Sequence, residues 1–207
     1  MTNLEYPRDA VTGLVLAGGA SRRMGGEDKG LADLAGRPML EYVLDALGPH
    51  VGSIMVSANR NRDSYSAYGC QVVADTLENY PGPLAGVASA LQHLATEYLL
   101  VVPCDAPLLA PDLAPRLHAA CATAGAEAAV ASDGRRMQPV FLMLRATVGP
   151  GLQSYLAAGG RKVDAWLKQL HLVQVDFSDE PDCFVNVNEP AERRRVEAQL
   201  LASMVAG

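Results

Sequence analysis

The chain has 207 residues, 49% hydrophobic and 19% charged, with a formal net charge of -6. This balance excludes a disordered or strongly solvated chain, and the length suffices for a well-buried core. The acidic charge excludes a general nucleic-acid or anionic-membrane binder, and the apolar runs are strand-sized and interrupted, so no membrane span is expected.

Short β-branched runs alternate with longer helical stretches, which predicts an α/β fold around a largely parallel sheet. Residues 11–17 (VTGLVLA) form the first predicted strand and run straight into a glycine-rich loop. Pro38 suits a first helical position and Gly48 a C-terminal stop. Residues 53–58 and 71–75 give the next two strands. A helix over 84–94 leads to the most apolar strand, 98–102, which ends in Pro103-Cys104-Asp105. A helix from about Pro111 and a strand near 128–131 follow. After Gly134 the alternation changes character. Residues 139–144 (PVFLML) read as a strand, helices surround Tyr155 and Trp166, and 172–177 and 184–187 are short strand candidates. Glu189-Pro190 opens a final helix. No linker, low-complexity stretch or internal repeat divides the chain. It reads as one domain, 1–207, whose half from about 133 to 200 closes over a site built by about 11–132.

Cys70, Cys104, Cys121 and Cys183 have no CxxC spacing, and His50, His93, His118 and His171 no HExxH spacing. A zinc site is not expected; the cysteines read as reduced and mostly buried, and any metal must be held by carboxylates. The N-terminal MTNLEYPRDA lacks a basic region followed by an apolar stretch, so a cytoplasmic protein is expected.

The loop Leu16-Ala17-Gly18-Gly19-Ala20-Ser21-Arg22-Arg23-Met24-Gly25-Gly26-Glu27-Asp28-Lys29 follows the first strand directly. Ligands of open α/β sheets bind at the carboxyl ends of parallel strands. Glycines let backbone N–H groups approach a phosphate or base, and Arg22, Arg23 and Lys29 can neutralise phosphate charge. The loop is neither a Walker A motif nor a GxGxxG fingerprint. Asp105 ends the apolar strand and should share that sheet edge. A lone carboxylate there suits Mg²⁺, which takes one or two carboxylates and completes its shell with phosphate oxygens and water. The competing reading, a helix N-cap, is weakened by the prolines flanking Cys104-Asp105-Ala106.

LAGGASRRMGGEDKG resembles the signature loop of the molybdenum cofactor guanylyltransferases, within the wider nucleotidyltransferase superfamily. The resemblance continues at Ala58-Asn59-Arg60, Tyr80-Pro81-Gly82-Pro83-Leu84-Ala85-Gly86, Pro103-Cys104-Asp105-Ala106-Pro107 and Phe184-Val185-Asn186-Val187-Asn188, in the family's order and spacing. It implies a three-layer, Rossmann-like nucleotidyltransferase fold with a predominantly parallel sheet. It also implies transfer of GMP from GTP to molybdenum-molybdopterin, with Mg²⁺ as cofactor and release of pyrophosphate. The half over about 11–132 would bind nucleotide, and that over about 133–200 the acceptor.

Residue by residue, the resemblance places Leu16, Ala17, Gly18, Gly19, Lys29, Ser57, Asp75, Gly82, Pro83, Asp105, Asn186 and Asn188 around the substrates, with Arg23, Lys29 and Asp105 catalytic and Asp105 on the metal. Ser57 departs from the pattern, which often carries Asn there. Asp75 has a second reading as a turn-stabilising residue, and Gly86 one as a packing glycine. Asn186 and Asn188, alternating on a short strand, would face one side; capping of the final helix is the other reading. Gln138, Pro139, Arg135 and Arg136 are candidates for an acceptor wall. Arg161 and Lys162 read as cations for acceptor or pyrophosphate, or as solvated helix-end charges.

Gly19 sits where cytidylyl relatives tend to carry Ala, and the missing methyl leaves room for a purine edge. Such steric differences give about 1–3 kcal/mol of discrimination. The rival functions are cytidylyl transfer to the same or another phosphorylated acceptor, and a non-catalytic carrier of the molybdenum cofactor. Transient contact with molybdenum-insertion proteins or molybdoenzymes fits either reading, without a sequence patch to mark it.

Overall fold

A computed structural model describes residues 6–17, 28–75 and 82–206. In chain order the elements are β1 (Val11–Leu16), the two-residue ribbon β2 (Asp33–Leu34) and β3 (Arg37–Pro38), α1 (Met39–Leu47), β4 (Ser53–Ser57), α2 (Arg62–Ser66), β5 (Gln71–Val73) and α3 (Pro83–His93). There follow β6 (Tyr98–Pro103), α4 (Leu113–Ala124), β7 (Ala128–Ser132), β8 (Met137–Arg145), α5 (Gly149–Ala157), α6 (Val163–Leu167), β9 (Leu172–Asp176) and α7 (Pro190–Ala206).

Among the described residues the main sheet has seven strands in the order β5-β4-β1-β6-β8-β7-β9. The pairs β5 with β4, β4 with β1, β1 with β6 and β7 with β9 are parallel; β8 is antiparallel to both its neighbours. The carboxyl ends of β1, β4, β5, β6, β7 and β9 therefore share one edge with the start of β8. Strand order reverses beside β1, which places a topological switch point between the ends of β1 and β6.

The sheet is buried on both faces, so its central strands are continuous apolar runs rather than alternating ones. In β6, Leu100 and Val102 face α1 and α4 through Leu40, Val43, Leu113 and Leu117. Leu99 and Val101 face α3, α5 and α6 through Val87, Ala88, Leu152, Leu156 and Trp166. The result is the expected three-layer sandwich. A smaller cluster of Ala32, Leu34, Met39, Tyr42, Val187 and Val196 packs α7 over the ribbon.

Two expectations need correction. Pro38 does not open a helix; it belongs to the ribbon, and its extended ψ of 137° makes it the residue before α1. Gly48 does end α1 as expected: it is the C-cap, in right-handed conformation (φ -50°), and opens a 3-10 turn, Gly48–His50. Residues 184–187 form no strand. A 3-10 turn, Pro181–Phe184, leads into extended coil. The apolar alternation there arises because Phe184 stacks edge-to-face on Phe141 and Phe177, while Val187 joins the cluster under α7.

His118 is buried on α4 between Tyr6 and Tyr98, with ring centroids 5.5 and 4.9 Å away. Burial is the main reason its pKa is lowered; Glu97 opposes the shift and Arg145 adds to it. The unfolded chain therefore binds this proton more readily than the fold does. The stabilising contribution is complete above pH 6.5 and is lost as pH falls from there through the lower folded pKa. His118→Phe keeps the ring packing and removes the proton site. Urea midpoints at pH 7.5 and 5.5 should then differ less in the variant than in the wild type; equal differences would contradict the assignment.

Candidate active site

The switch point is built by backbone bonds that extend the ladder one residue beyond each strand. Leu16 lies in register with both Ser57 and Pro103. Beyond it, Ala17 N–H donates to Ser57 O (2.9 Å), Ala58 N–H to Val73 O (3.0 Å) and Cys104 N–H to Leu16 O (3.1 Å). These bonds fix the exit directions of the loops after β1, β4 and β6. A further bond, Val187 N–H to Asp105 O (2.8 Å), ties the coil before α7 to the end of β6. Asn186 and Asn188 thus reach the sheet edge through one long-range bond, not through strand pairing.

Lys29 is the centre of the polar arrangement. Its Nζ lies 3.1 Å from Asp105 Oδ2 and also donates to Asn188 Oδ1. The side chains of Lys29 and Asp105 are 27% and 13% exposed, so the pair is partly shielded yet open to a ligand. Asn188 does not cap α7. Glu192 Oε2 does so, accepting from the N–H groups of Asn188 (2.8 Å) and Glu189 (2.9 Å), which leaves the Asn188 carboxamide to the lysine. The Asn186 Oδ1 is buried without a hydrogen-bond partner among the described residues. An orphaned acceptor of that kind suits a ligand site, because leaving it empty costs about 1–3 kcal/mol. Nor does Asp105 cap a helix: α4 starts after Asp112.

Ser57 is buried at the end of β4, and Leu16 and Ala17 lie beside it. Gly82 and Pro83 open α3, with Pro83 at the first helical position. Gly86 is a packing glycine: a Cβ there would lie 2.3 Å from Ser57 Oγ and 3.0 Å from Ser57 Cβ. That close approach is compatible with the short serine and accounts for how α3 seats on β4. Asp75 lies two residues beyond β5. Its carboxylate accepts from Asn59 Nδ2 (2.7 Å), and its N–H donates to Asn59 Oδ1 (2.9 Å). These paired bonds join the loops after β4 and β5, sixteen positions apart in the chain. Gly18, Gly19, Arg22 and Arg23 lie outside the described residues.

The candidate acceptor wall is a separate feature of the same edge. Asp133 accepts from the N–H groups of Arg135 and Arg136 (both 2.8 Å) and from Gln138 Nε2 (2.8 Å), bonds that hold its pKa low. Asp133, Gly134, Arg135, Ser178 and Pro181 line an open cleft of about 510 Å³. Arg161 donates to the carbonyls of Leu156 (3.0 Å) and Gly160 (2.5 Å) at the end of α5, as a helix-end cation does.

The residues missed in the sequence surround Asp28. Tyr65, fully buried on α2, donates its hydroxyl to Asp28 Oδ1. Asn61 Nδ2 donates to Asp28 Oδ2 at 3.0 Å. Burial, then the bond to Asp28, drives the Tyr65 pKa far upward, so the phenol stays a donor. The adjacency of Asp28 to Lys29 was the available signal; nothing in the spacing of Asn61 and Tyr65 indicated their target.

The chemistry of the donors fits a hard divalent cation completed by phosphates: the Asp105 carboxylate and the Asn188 carboxamide both bond Lys29, and the Asn186 carboxamide oxygen is buried and unpartnered among the described residues. No three His, Cys, Asp or Glu residues gather as a protein-only metal site among the described residues. A carboxylate at a switch point, bonded to a lysine that follows a glycine-rich stretch of sequence, is the arrangement expected of a nucleotidyltransferase. The chain belongs to the family of the MobA-like NTP transferase domain, whose sequence profile matches residues 13–174. It is 45% identical over 186 residues to the molybdenum cofactor guanylyltransferase of Shewanella piezotolerans, covering 90% of this chain and 91% of that one. With the enzyme of the same name from Shewanella halifaxensis the identity is 46% over 186 residues, covering 90% and 93%. Among solved structures, the molybdopterin-guanine dinucleotide biosynthesis protein A of Archaeoglobus fulgidus superposes with a TM-score of 0.78 at 24% identity (92% and 99% covered). The 4-diphosphocytidyl-2C-methyl-D-erythritol synthase of Anaerococcus prevotii gives 0.69 at 12% identity (95% and 98% covered). These two structural likenesses speak for the fold alone. Among the described residues no helix is long and apolar enough to cross a membrane.

Proposed function

We propose that the chain transfers GMP from GTP to the terminal phosphate of molybdenum-loaded molybdopterin, forming the guanine dinucleotide cofactor and pyrophosphate. The observation that carries this reading is the meeting of Lys29, Asp105 and Asn188 at the switch point, in a chain whose full-length relatives bear the guanylyltransferase name.

Residues from about 11 to 132 would bind the nucleotide, with Leu16, Ala17, Gly18, Gly19, Ser57, Asp75, Gly82 and Pro83 along it. Those from about 133 to 200 would bind the acceptor, with Asn186, Asn188 and the cleft at Arg135 on that side. Lys29 leaves its two oxygen partners and donates to the triphosphate, while Arg23 neutralises further phosphate charge. Asp105, freed of the lysine, would hold Mg²⁺ with help from the carboxamides of Asn186 and Asn188. Bound there, the metal supplies charge stabilisation on the phosphate oxygens. An oxygen of the acceptor phosphate forms the new bond to the α-phosphorus, the bond from that phosphorus to the β-phosphate oxygen breaks, and pyrophosphate carries away the electron pair. The nucleophile is already anionic, so no general base or covalent enzyme intermediate is required. The residues' contribution is positioning and charge neutralisation. The free thiols of Cys70, Cys104, Cys121 and Cys183 support a reducing, cytoplasmic setting.

The test is a donor comparison. Protein, Mg²⁺ and molybdenum-loaded molybdopterin are incubated with GTP, CTP, ATP or UTP, and dinucleotide product is measured by mass spectrometry. Product with GTP above all others is expected. Preferential turnover of CTP would overturn the donor assignment, and tight pterin binding without product from any donor would favour a carrier.

A further inference from the structure

We infer that Asp28, Asn61 and Tyr65 form a clamp that positions Lys29, a role that deepens, and rests on, the proposed use of Lys29 as the phosphate ligand. A lysine has four rotatable side-chain bonds and follows a glycine-rich loop here, so holding its ammonium at one point requires fixing its backbone first. Three donors do this through the preceding residue. Tyr65 Oη and Gly30 N–H (3.3 Å) converge on Asp28 Oδ1, while Asn61 Nδ2 takes Oδ2 at 3.0 Å. Both carboxylate oxygens are thus engaged, and the Asp28 side chain caps the 3-10 turn Lys29–Leu31.

The fit is tight on the far side as well. A Cβ on Gly30 would lie 2.6 Å from Tyr65 Oη, so the phenol reaches Asp28 only because residue 30 has no side chain. Tyr65 is fully buried, which fixes its ring, and Asn61 holds a left-handed backbone (φ 49°) at the start of α2. Asparagine is among the few non-glycine residues that enter this region readily, and here its amide is also the donor to Asp28. Asn59, two residues earlier, makes the paired bonds to Asp75. The β4 to α2 turn therefore ties down segments on two sides of the site, and the Asn61 arm governs the lysine. Tyr65, Asn61 and Asp28 act through Lys29; they are positioning residues, not catalytic ones.

The test reads Lys29 directly and through turnover. Tyr65→Phe keeps the buried ring and loses only the hydroxyl; Asn61→Gly keeps the positive φ and loses the amide. The rate of acetylation of Lys29 by acetic anhydride in ligand-free protein is followed by peptide mass spectrometry, with the exposed Lys162 and Lys168 as internal references. In each variant Lys29 should label about 3- to 10-fold faster and the references unchanged, the scale of the net contribution of one ordinary hydrogen bond. For Tyr65→Phe, kcat/KM for GTP should fall about tenfold in the native background yet change less than about twofold in a Lys29→Ala background, since a residue acting through the lysine has nothing left to position. Unchanged labelling in both variants would overturn the clamp. So would an equal activity loss in the two backgrounds, which is the signature of a merely structural residue. If no protein, wild type included, makes product from any donor, it is guanylyl transfer that fails, and the labelling ratios alone decide the clamp.

Discussion

Asp105→Ala is expected to lower guanylyl transfer by about 10²–10³-fold or more, the loss found when a preorganised charge-stabilising group is removed from a transfer site. Two consequences of its position produce that size. Among the described residues Asp105 is the carboxylate bonded to Lys29 at the switch point, and its backbone carbonyl anchors Val187 between Asn186 and Asn188. The substitution removes the charge but keeps the backbone bond, so the coil before α7 stays in place. Loss of a partly exposed ion pair costs about 0–1 kcal/mol, and the melting temperature should move by a few degrees at most. Asp105→Asn should be nearly as inactive, because a neutral amide keeps the shape and loses the charge. Turnover near the wild-type rate in either variant, in protein of native stability, would remove Asp105 from the mechanism.

Lys29→Ala should act on the same site with a different signature. A charge-assisted hydrogen bond is worth about 1.5–3 kcal/mol, which converts to about 10- to 150-fold in kcat/KM for GTP. Part of the effect should appear in KM, since the ammonium meets phosphate in the ground state, and part in kcat. Lys29→Arg should recover little. The Nζ sits between Asp105 and Asn188, and a planar guanidinium cannot occupy the same point as a compact ammonium. Steady-state kinetics on the two variants check this; an unchanged KM and kcat in Lys29→Ala would contradict the phosphate role.

Much of this architecture was legible in the sequence because apolar runs and strand-to-loop junctions are local signals. The run ending in Pro103-Cys104-Asp105 reads as the most apolar strand, and the glycine loop after the first strand marks the functional edge. What escaped was non-local or depended on uncommon backbone. The ribbon that captures Pro38 turns through Ala35 (φ 51°) and Gly36 (φ 86°), the two positive values a two-residue hairpin turn requires. Alanine rarely adopts them, so Ala35 gave no turn signal. The alternation of Phe184-Val185-Asn186-Val187 imitated a strand because its apolar residues enter different clusters, not because they line one sheet face. The choice between substrate contact and helix cap for Asn188 depended on Glu192, which does the capping. The capture of Asp28 by Asn61 and Tyr65 spans 33 and 37 positions and leaves no periodic trace.

The most direct measurement follows the α-phosphate. GTP labelled at that phosphorus is incubated with the protein, Mg²⁺ and molybdenum-loaded molybdopterin, and the label is traced alongside pyrophosphate release. The predicted result is label in the pterin dinucleotide, in equal amount to pyrophosphate, and none formed by the Asp105→Ala variant. Label appearing as free GMP, or remaining in GTP while the acceptor is bound, would contradict guanylyl transfer at this site.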